Sequence, residues 1–194
     1  MRDTGRVAND KPRILHNQRD MALSLLPLVL ICLAFAGAAS MCSVAPFGAK
    51  QGPVPDFDID AALVSDASTL SFPIRNPHVP DSWKPNSGGR TTITEEGGGE
   101  VSTVGYITDD GRYVQLSQTD ATEEALVPAM VGKRAASGAE QVDGRTWVVY
   151  AEQGSEPAWA TDLGGVRVLI RGSGSTEDFT ELADAVSEAP PLDR

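Results

Sequence analysis

The pattern of hydrophobic and polar positions divides the chain into three parts. An uncharged run extends from Met21 to Ala49, and its first part, residues 21–41, is predominantly apolar. Proline and glycine then become frequent, and from residue 56 onward short apolar runs alternate with turn residues. An apolar helix of about 20 residues is long enough to span a bilayer, whereas short alternating runs favour strands. The pattern therefore predicts a transmembrane helix over residues 21–41, a stalk over residues 42–55 and a folded domain over residues 56–190.

The folded domain carries the signals of an antiparallel sheet. In residues 166–171 Val166, Val168 and Ile170 alternate with Arg167, Leu169 and Arg171, which predicts one buried face and one partly wet face. Turn sequences such as Asp109-Asp110-Gly111 separate the apolar runs. The predicted strands are residues 91–94, 101–108, 113–118, 146–152, 157–162 and 166–171.

Helix signals occur at three places around these strands. Ser175 is followed three residues later by Asp178, the spacing of a capping box at the start of a helix. Asp120 is followed at the same spacing by Glu123. The predicted helices run from Asp58 to about Ser68, from Asp120 onward, and from Thr176 to about Ala189. A sheet of five to seven strands packed by two or three helices is an α+β fold.

Charge is distributed unevenly along the chain, and this predicts its orientation. Residues 1–20 contain five Lys or Arg and three acidic residues, whereas residues 50–194 contain 24 acidic and 11 basic residues, a net charge of −13. Basic flanks remain on the cytoplasmic side of a membrane span. The chain is therefore expected to cross the plasma membrane once, with residues 1–20 as a cytoplasmic arm and the domain outside. A domain this acidic repels phosphate backbones, so nucleic acid is an unfavourable partner.

A cleaved secretory signal peptide is the alternative to an anchor over residues 21–41. Ala34-Phe35-Ala36 and Ala36-Gly37-Ala38 both fit the small-residue pattern that precedes signal cleavage. The uncharged run continues past them to Ala49, which suits a span better. The domain would be exported in either case. It contains neither of the chain's two cysteines, Cys32 and Cys42, so an apolar core rather than disulfides must stabilise it.

The sequence contains few residues that suggest catalysis or metal binding. Of its two histidines, His16 lies in the predicted cytoplasmic arm and His78 in a proline-rich stretch. A serine or cysteine nucleophile normally requires a histidine partner, and zinc sites require several His or Cys ligands. The alternating carboxylates of Asp56, Asp58 and Asp60 lack the glycine and terminal glutamate of a calcium loop. We therefore predict no catalytic residue, no metal ligand and no cofactor, and expect a protein that is not an enzyme.

One segment of the folded domain could bind an anion. Arg171-Gly172-Ser173-Gly174-Ser175 connects a predicted strand to the start of a predicted helix. Free backbone N–H groups and the positive end of a helix macrodipole attract anions at such positions. An ordinary strand-to-helix turn with a capping serine explains the same residues. Both interpretations fit the sequence, and Arg171 to Ser175 are the candidate site residues.

Turn and core residues of the chain resemble those of a known protein family. They are Arg19-Asp20-Met21, Leu25-Leu26, Phe72-Pro73-Ile74, Val79-Pro80-Asp81-Ser82-Trp83, Val104-Gly105-Tyr106, Gly111, Tyr113, Val114, Leu116, Gln118, Gly144, Thr146, Trp147, Leu163-Gly164-Gly165-Val166 and Gly172-Ser173-Gly174-Ser175. From Arg19 onward the chain resembles actinobacterial single-pass membrane proteins grouped as domain of unknown function 4245. The resemblance implies a place in the actinobacterial cell envelope and carries over no catalytic or binding residue.

Three functional hypotheses follow from these observations. The first is a membrane-anchored extracytoplasmic domain that binds an envelope or membrane protein without catalysis, with the lipid bilayer as its partner through residues 21–41. The second is a carrier or sensor for a lipid, glycan or other small ligand, which would require an enclosed apolar cavity. The third is an envelope hydrolase, which would require facing carboxylates or a site centred on His78.

Overall fold

The computed structural model describes Leu23, residues 25–32 and residues 57–193. The predicted arm at 1–20, the stalk at 42–55 and most of the predicted span at 21–41 lie outside the described residues. Residues 25–32 are helical. In the part of the chain that the structure describes, no helix is both long and apolar enough to cross a membrane. Contacts divide the chain into two compact units, 1–51 and 52–194, and the second contains the sheet.

Residues 57–193 form one antiparallel sheet of seven strands, ordered β1-β2-β3-β7-β6-β5-β4. Strands β1 to β3 form one meander and strands β4 to β7 a second. The meanders join where β3 pairs with β7, with Leu116 opposite Ile170. The strands are β1 (Lys84–Thr92), β2 (Glu100–Ile107), β3 (Tyr113–Thr119), β4 (Gly138–Val142), β5 (Arg145–Tyr150), β6 (Ala158–Asp162) and β7 (Arg167–Gly172). The prediction of an α+β fold with an antiparallel sheet is confirmed.

Three helices pack on this sheet: α1 (Ile59–Thr69), α2 (Glu123–Val131) and α3 (Thr176–Glu188). The predicted capping box of α3 is confirmed, because the Asp178 N–H donates to Ser175 Oγ and the Ser175 N–H donates to Asp178 Oδ2. The predicted start of α2 at Asp120 is wrong. Thr122 is the N-cap, since its backbone is extended and its hydroxyl accepts the Ala125 N–H at 3.3 Å.

The helices lie on opposite faces of the sheet and bury two separate clusters of side chains. Successive residues of a strand point to opposite faces. Accordingly Val168 and Ile170 belong to the larger cluster with α1 and α3, whereas Leu169 belongs to the smaller cluster with α2. We call these sides the broad face and the α2 face. The prediction of a partly wet face is confirmed for Arg167 and Arg171, which are half-buried, whereas Leu169 between them is fully buried in the smaller cluster.

The two edge strands differ most from the predicted elements. Strand β4 was not predicted, since four of its five residues are exposed and it lacks an alternating apolar pattern. Strand β1 was predicted only at residues 91–94 but begins at Lys84 and includes Pro85, Gly88 and Gly89. An edge strand tolerates proline and glycine because one of its sides forms no ladder hydrogen bonds.

Candidate functional surface

Helix α2 connects the central strand β3 to the edge strand β4. It covers only part of the face of the sheet on which it packs. Two open depressions lie beside its first turn, and both are lined by Glu123. The first has a volume of about 530 Å³, and its floor includes Val148 of β5 and Ala160 of β6. The second, of about 350 Å³, lies between Pro128 of α2 and Tyr150 of β5. We call the combined area the α2 surface.

A tyrosine and a glutamate connect the start of α2 to strand β5. The Tyr150 hydroxyl donates a hydrogen bond to Glu123 Oε1. Burial, this hydrogen bond and the negative charges of Glu123 and Glu124 raise the pKa of Tyr150 above its ordinary value. The phenol therefore keeps its proton, and with it the hydrogen bond to α2, at neutral pH.

Two arginines bind the carbonyl groups at the other end of α2. Arg171 Nη1 donates to the Met130 carbonyl at 2.6 Å, and Arg134 Nη2 donates to the Val131 carbonyl. The last carbonyls of a helix have no partner within the helix and form the negative end of its macrodipole. Arg171 therefore stabilises α2 against strand β7, whereas Arg134 caps the helix end and connects it to the β5–β6 turn through the Glu156 carbonyl at 2.9 Å.

A row of hydrogen-bonded polar side chains crosses the α2 face from β7 to β1. Arg171 Nη2 donates to Gln115 Oε1 at 3.1 Å, and Gln115 Nε2 donates to Ser117 Oγ at 3.2 Å. The Tyr113 hydroxyl donates to the same Gln115 oxygen at 3.3 Å and lies 3.1 Å from Ser87 Oγ. Gln115 and Ser117 are buried. Burying a polar group costs free energy unless the group is hydrogen-bonded. The hydrogen bonds of this row therefore allow polar side chains to be buried on the α2 face.

The predicted anion-binding residues are divided between the two faces. The Arg171 guanidinium donates to α2 and β3 on the α2 face, whereas Ser175 caps α3, which packs on the broad face. The Ser175 N–H donates to Asp178 at 2.7 Å, and the Ser173 N–H donates to the Tyr113 carbonyl at 2.9 Å. An anion here would have to compete with the Asp178 carboxylate. Anion binding by residues 171–175 stays a prediction.

Two further candidates for chemistry lie outside the hydrogen-bonded row, although Asp143, which belongs to one of them, also lines the first depression. The carboxylates of Asp143, Asp184 and Glu188 each offer an oxygen within 4.8 Å of the others. Such surface carboxylates often cluster without a metal ion, so their spacing alone assigns none. His78 is exposed and forms no hydrogen bond or ion pair with any residue that the structure describes.

No local pattern in the sequence predicts the α2 surface. The sequence marks Glu123 only as a capping residue three positions after Asp120, and it predicts no role for Arg134 or Tyr150. Strand alternation could have placed Thr146, Val148 and Tyr150 on one side of β5. Nothing local in the sequence indicates which helix crosses that side.

Comparison with known proteins gives one relationship. A protein-family model described as Protein of unknown function (DUF4245) matches residues 13–186. No curated protein and no solved structure matches the chain. The matched segment contains all seven strands, so the relationship concerns the whole fold rather than one motif.

Proposed function

We propose, from the premise that the chain belongs to the protein family of unknown function DUF4245, that it is a membrane-tethered binding domain of the actinobacterial cell envelope. Its N-terminus lies in the cytoplasm and the seven-stranded domain lies outside. Its role is to bind an envelope or membrane protein, and it catalyses no reaction. The main support for this binding role is that the α2 surface is open.

Two features support the tether. Five Lys or Arg residues precede the uncharged run from Met21 to Ala49, which is the charge pattern of an inside-to-outside span. Every described side chain of residues 25–32 is exposed, including Leu26, Leu28 and Leu30. A helical segment that exposes so many apolar side chains is suited to contact with lipid.

The chemistry of the α2 surface favours binding over catalysis. Its strongest polar contacts join Tyr150, Arg171 and Arg134 to α2, so these groups serve the fold. Both depressions are open, whereas a carrier of small molecules encloses most of its ligand. Apolar floor residues with charged groups at the rim resemble the composition of protein–protein interfaces. A protein partner is therefore favoured over a small ligand.

Cysteine labelling in intact cells tests the tether. In the full chain, Cys32 and Cys42 are replaced by alanine and serine, and one cysteine is introduced as Gln153→Cys in an exposed loop. A membrane-impermeant maleimide should label this cysteine in the membrane fraction without permeabilisation. The control variant Ala8→Cys should be labelled only after permeabilisation. Labelling of Ala8→Cys in intact cells would contradict the proposed orientation. A shortened product released from the membrane would show that residues 21–41 are a cleaved signal peptide rather than an anchor.

Site-specific photo-crosslinking tests the binding surface. A photoreactive phenylalanine analogue is placed at Thr146, on the first depression, and as a control at Thr180 on the exposed side of α3. We expect one discrete crosslinked partner from position 146, identifiable by mass spectrometry, and none from position 180. The same products from both positions, or none from position 146, would argue against the α2 surface as the binding site.

A further inference from the structure

We infer that α2 is a lid that opens locally while the sheet beneath it stays folded. When it opens, the two depressions that share Glu123 become one groove, and the polar row beside Arg171 becomes accessible. This conformational device goes beyond the proposed function. It depends neither on the tether nor on the identity of a partner.

The first support is the weakness of α2 as a helix. It has nine residues and buries only Ala125, Leu126 and Val127. Pro128 lies inside it and has no N–H to donate to the carbonyl one turn earlier. A helix this short depends on its tertiary contacts. Helix α3, by contrast, has 13 residues, a complete capping box and four buried side chains, among them Phe179 and Leu182.

The second support is the kind of contact that attaches α2. Side-chain hydrogen bonds from Tyr150 and Arg171 join its two ends to the sheet. Arg134 connects its last turn to the Glu156 carbonyl in the β5–β6 turn. Water can replace such bonds when the helix moves away, because all these donors and acceptors are well solvated when exposed. Apolar contacts, which water cannot replace, are fewer here: the smaller cluster, to which Leu126 belongs, has ten buried residues, whereas the larger cluster on the broad face has 22.

The third support is the surface beneath α2. Gln115, Ser117 and Thr119 are buried on this side of β3, and their polar groups would gain hydration on exposure. The apolar residues of the sheet in the smaller cluster are Val101, Tyr150, Ala158, Ala160 and Leu169, three of which are Ala or Val. The sheet itself does not require α2, because β3 and β7 pair directly and the larger cluster packs on the opposite face.

Amide hydrogen exchange of the full chain in detergent micelles tests the lid. Amides of residues 125–127 and 129–131 should exchange at least about 100-fold faster than those at the centres of β3 and β7. Low denaturant concentrations should leave this fast exchange unchanged, because the opening is local. Arg171→Gln removes a guanidinium from the end of α2 and should accelerate exchange there by about tenfold, with α3 unaffected.

Arg75 provides a matched control, because its Nη1 donates to the Ala189 carbonyl at the end of α3. Arg75→Gln should accelerate exchange near the end of α3 and leave α2 unchanged. The inference is overturned if α2 in the unmodified chain exchanges no faster than β3 and β7, a result that does not depend on any variant folding. Equal acceleration of all amides by Arg171→Gln would overturn it as well.

Discussion

Two polar atoms buried on the broad face have no hydrogen-bond partner among the described residues: the Tyr106 hydroxyl and Trp147 Nε1. Tyr106 is only 2% exposed, and its ring packs against Trp83 with a centroid distance of 6.1 Å. An unpaired buried hydroxyl costs about 1–3 kcal/mol relative to one that is solvated. The Tyr106 ring therefore stabilises the domain while its hydroxyl reduces that benefit.

Replacement of Tyr106 by phenylalanine should stabilise the domain. The variant retains the ring and removes the unpaired oxygen, so we expect the free energy of unfolding to rise by up to about 1 kcal/mol in urea titrations. Tyr113→Phe is the matched control and should lower it, because the Tyr113 hydroxyl donates to Gln115. A loss of stability in Tyr106→Phe would mean that the hydroxyl has a partner, such as an ordered water.

Stability should fall in alkaline solution because of two tyrosines. Burial raises the pKa of both Tyr106 and Tyr150 above the ordinary value of 10.0. In the unfolded chain these phenols lose their protons near that ordinary value, whereas in the folded domain they retain them. Their contribution to stability is therefore complete below this pH and decreases as the pH rises above it.

Unfolding titrations at several pH values check this dependence. Between about pH 9 and about pH 11 the free energy of unfolding should decrease, and the decrease should be smaller in the double variant Tyr106→Phe and Tyr150→Phe. An unchanged slope in the double variant would show that other groups cause the alkaline loss.

At the scale of elements, the charges along α3 are favourable at one end and unfavourable at the other. Glu177 and Asp178 lie in the first turn, where the macrodipole favours negative charge. Glu188 is the last residue of the helix, with Asp184 one turn before it and Asp143 nearby. Its carboxylate therefore faces two like charges and the negative end of the helix.

Neutralising the two ends of α3 should have opposite effects. We expect Glu188→Gln to raise the free energy of unfolding by about 0.5 kcal/mol and Glu177→Gln to lower it by a similar amount. Thermal unfolding at low ionic strength measures both, and added salt should reduce both differences. Destabilisation by Glu188→Gln would instead indicate that the three carboxylates bind a cation.

At the scale of the whole domain, the pairing of β3 with β7 makes the two meanders dependent on each other. Each meander alone would expose the hydrogen-bonding edge of a central strand, which is unfavourable for an isolated sheet. The larger cluster also combines side chains of both meanders, such as Val104 and Val168. We therefore expect residues 57–193 to unfold as one cooperative unit.

The three tryptophans report on this cooperativity. Trp83 lies next to β1, whereas Trp147 and Trp159 belong to β5 and β6, in the other meander. The fluorescence of the variant Trp83→Phe reports the second meander, and that of the double variant Trp147→Phe and Trp159→Phe reports the first. In each variant the unfolding transition followed by fluorescence should have the same midpoint as the transition followed by far-ultraviolet circular dichroism. Two separate transitions within one variant would mean that the meanders fold independently.

Residues whose role depends on their immediate neighbours could be predicted from the sequence. The capping box of Ser175 and Asp178, the turn at Asp109-Asp110-Gly111 and the strands on either side of it follow from interactions within a few residues. The general α+β class follows from counting such elements. The sequence predicts Arg171 as a site residue, but its contacts with Met130 and Gln115 involve residues far away in the sequence.

The sequence by itself determined the kinds of element, the acidic character of the domain and the uncharged run before it, because each depends on local composition and periodicity. Only the tertiary structure decided that β3 lies beside β7, that α2 covers Leu169, and that Gly138–Val142 forms an edge strand. Strand order is selected by the burial of distant side chains against each other, and a central strand acquires its second covered face only when another element packs on it. The α2 surface is a product of that packing, which is why no local motif revealed it.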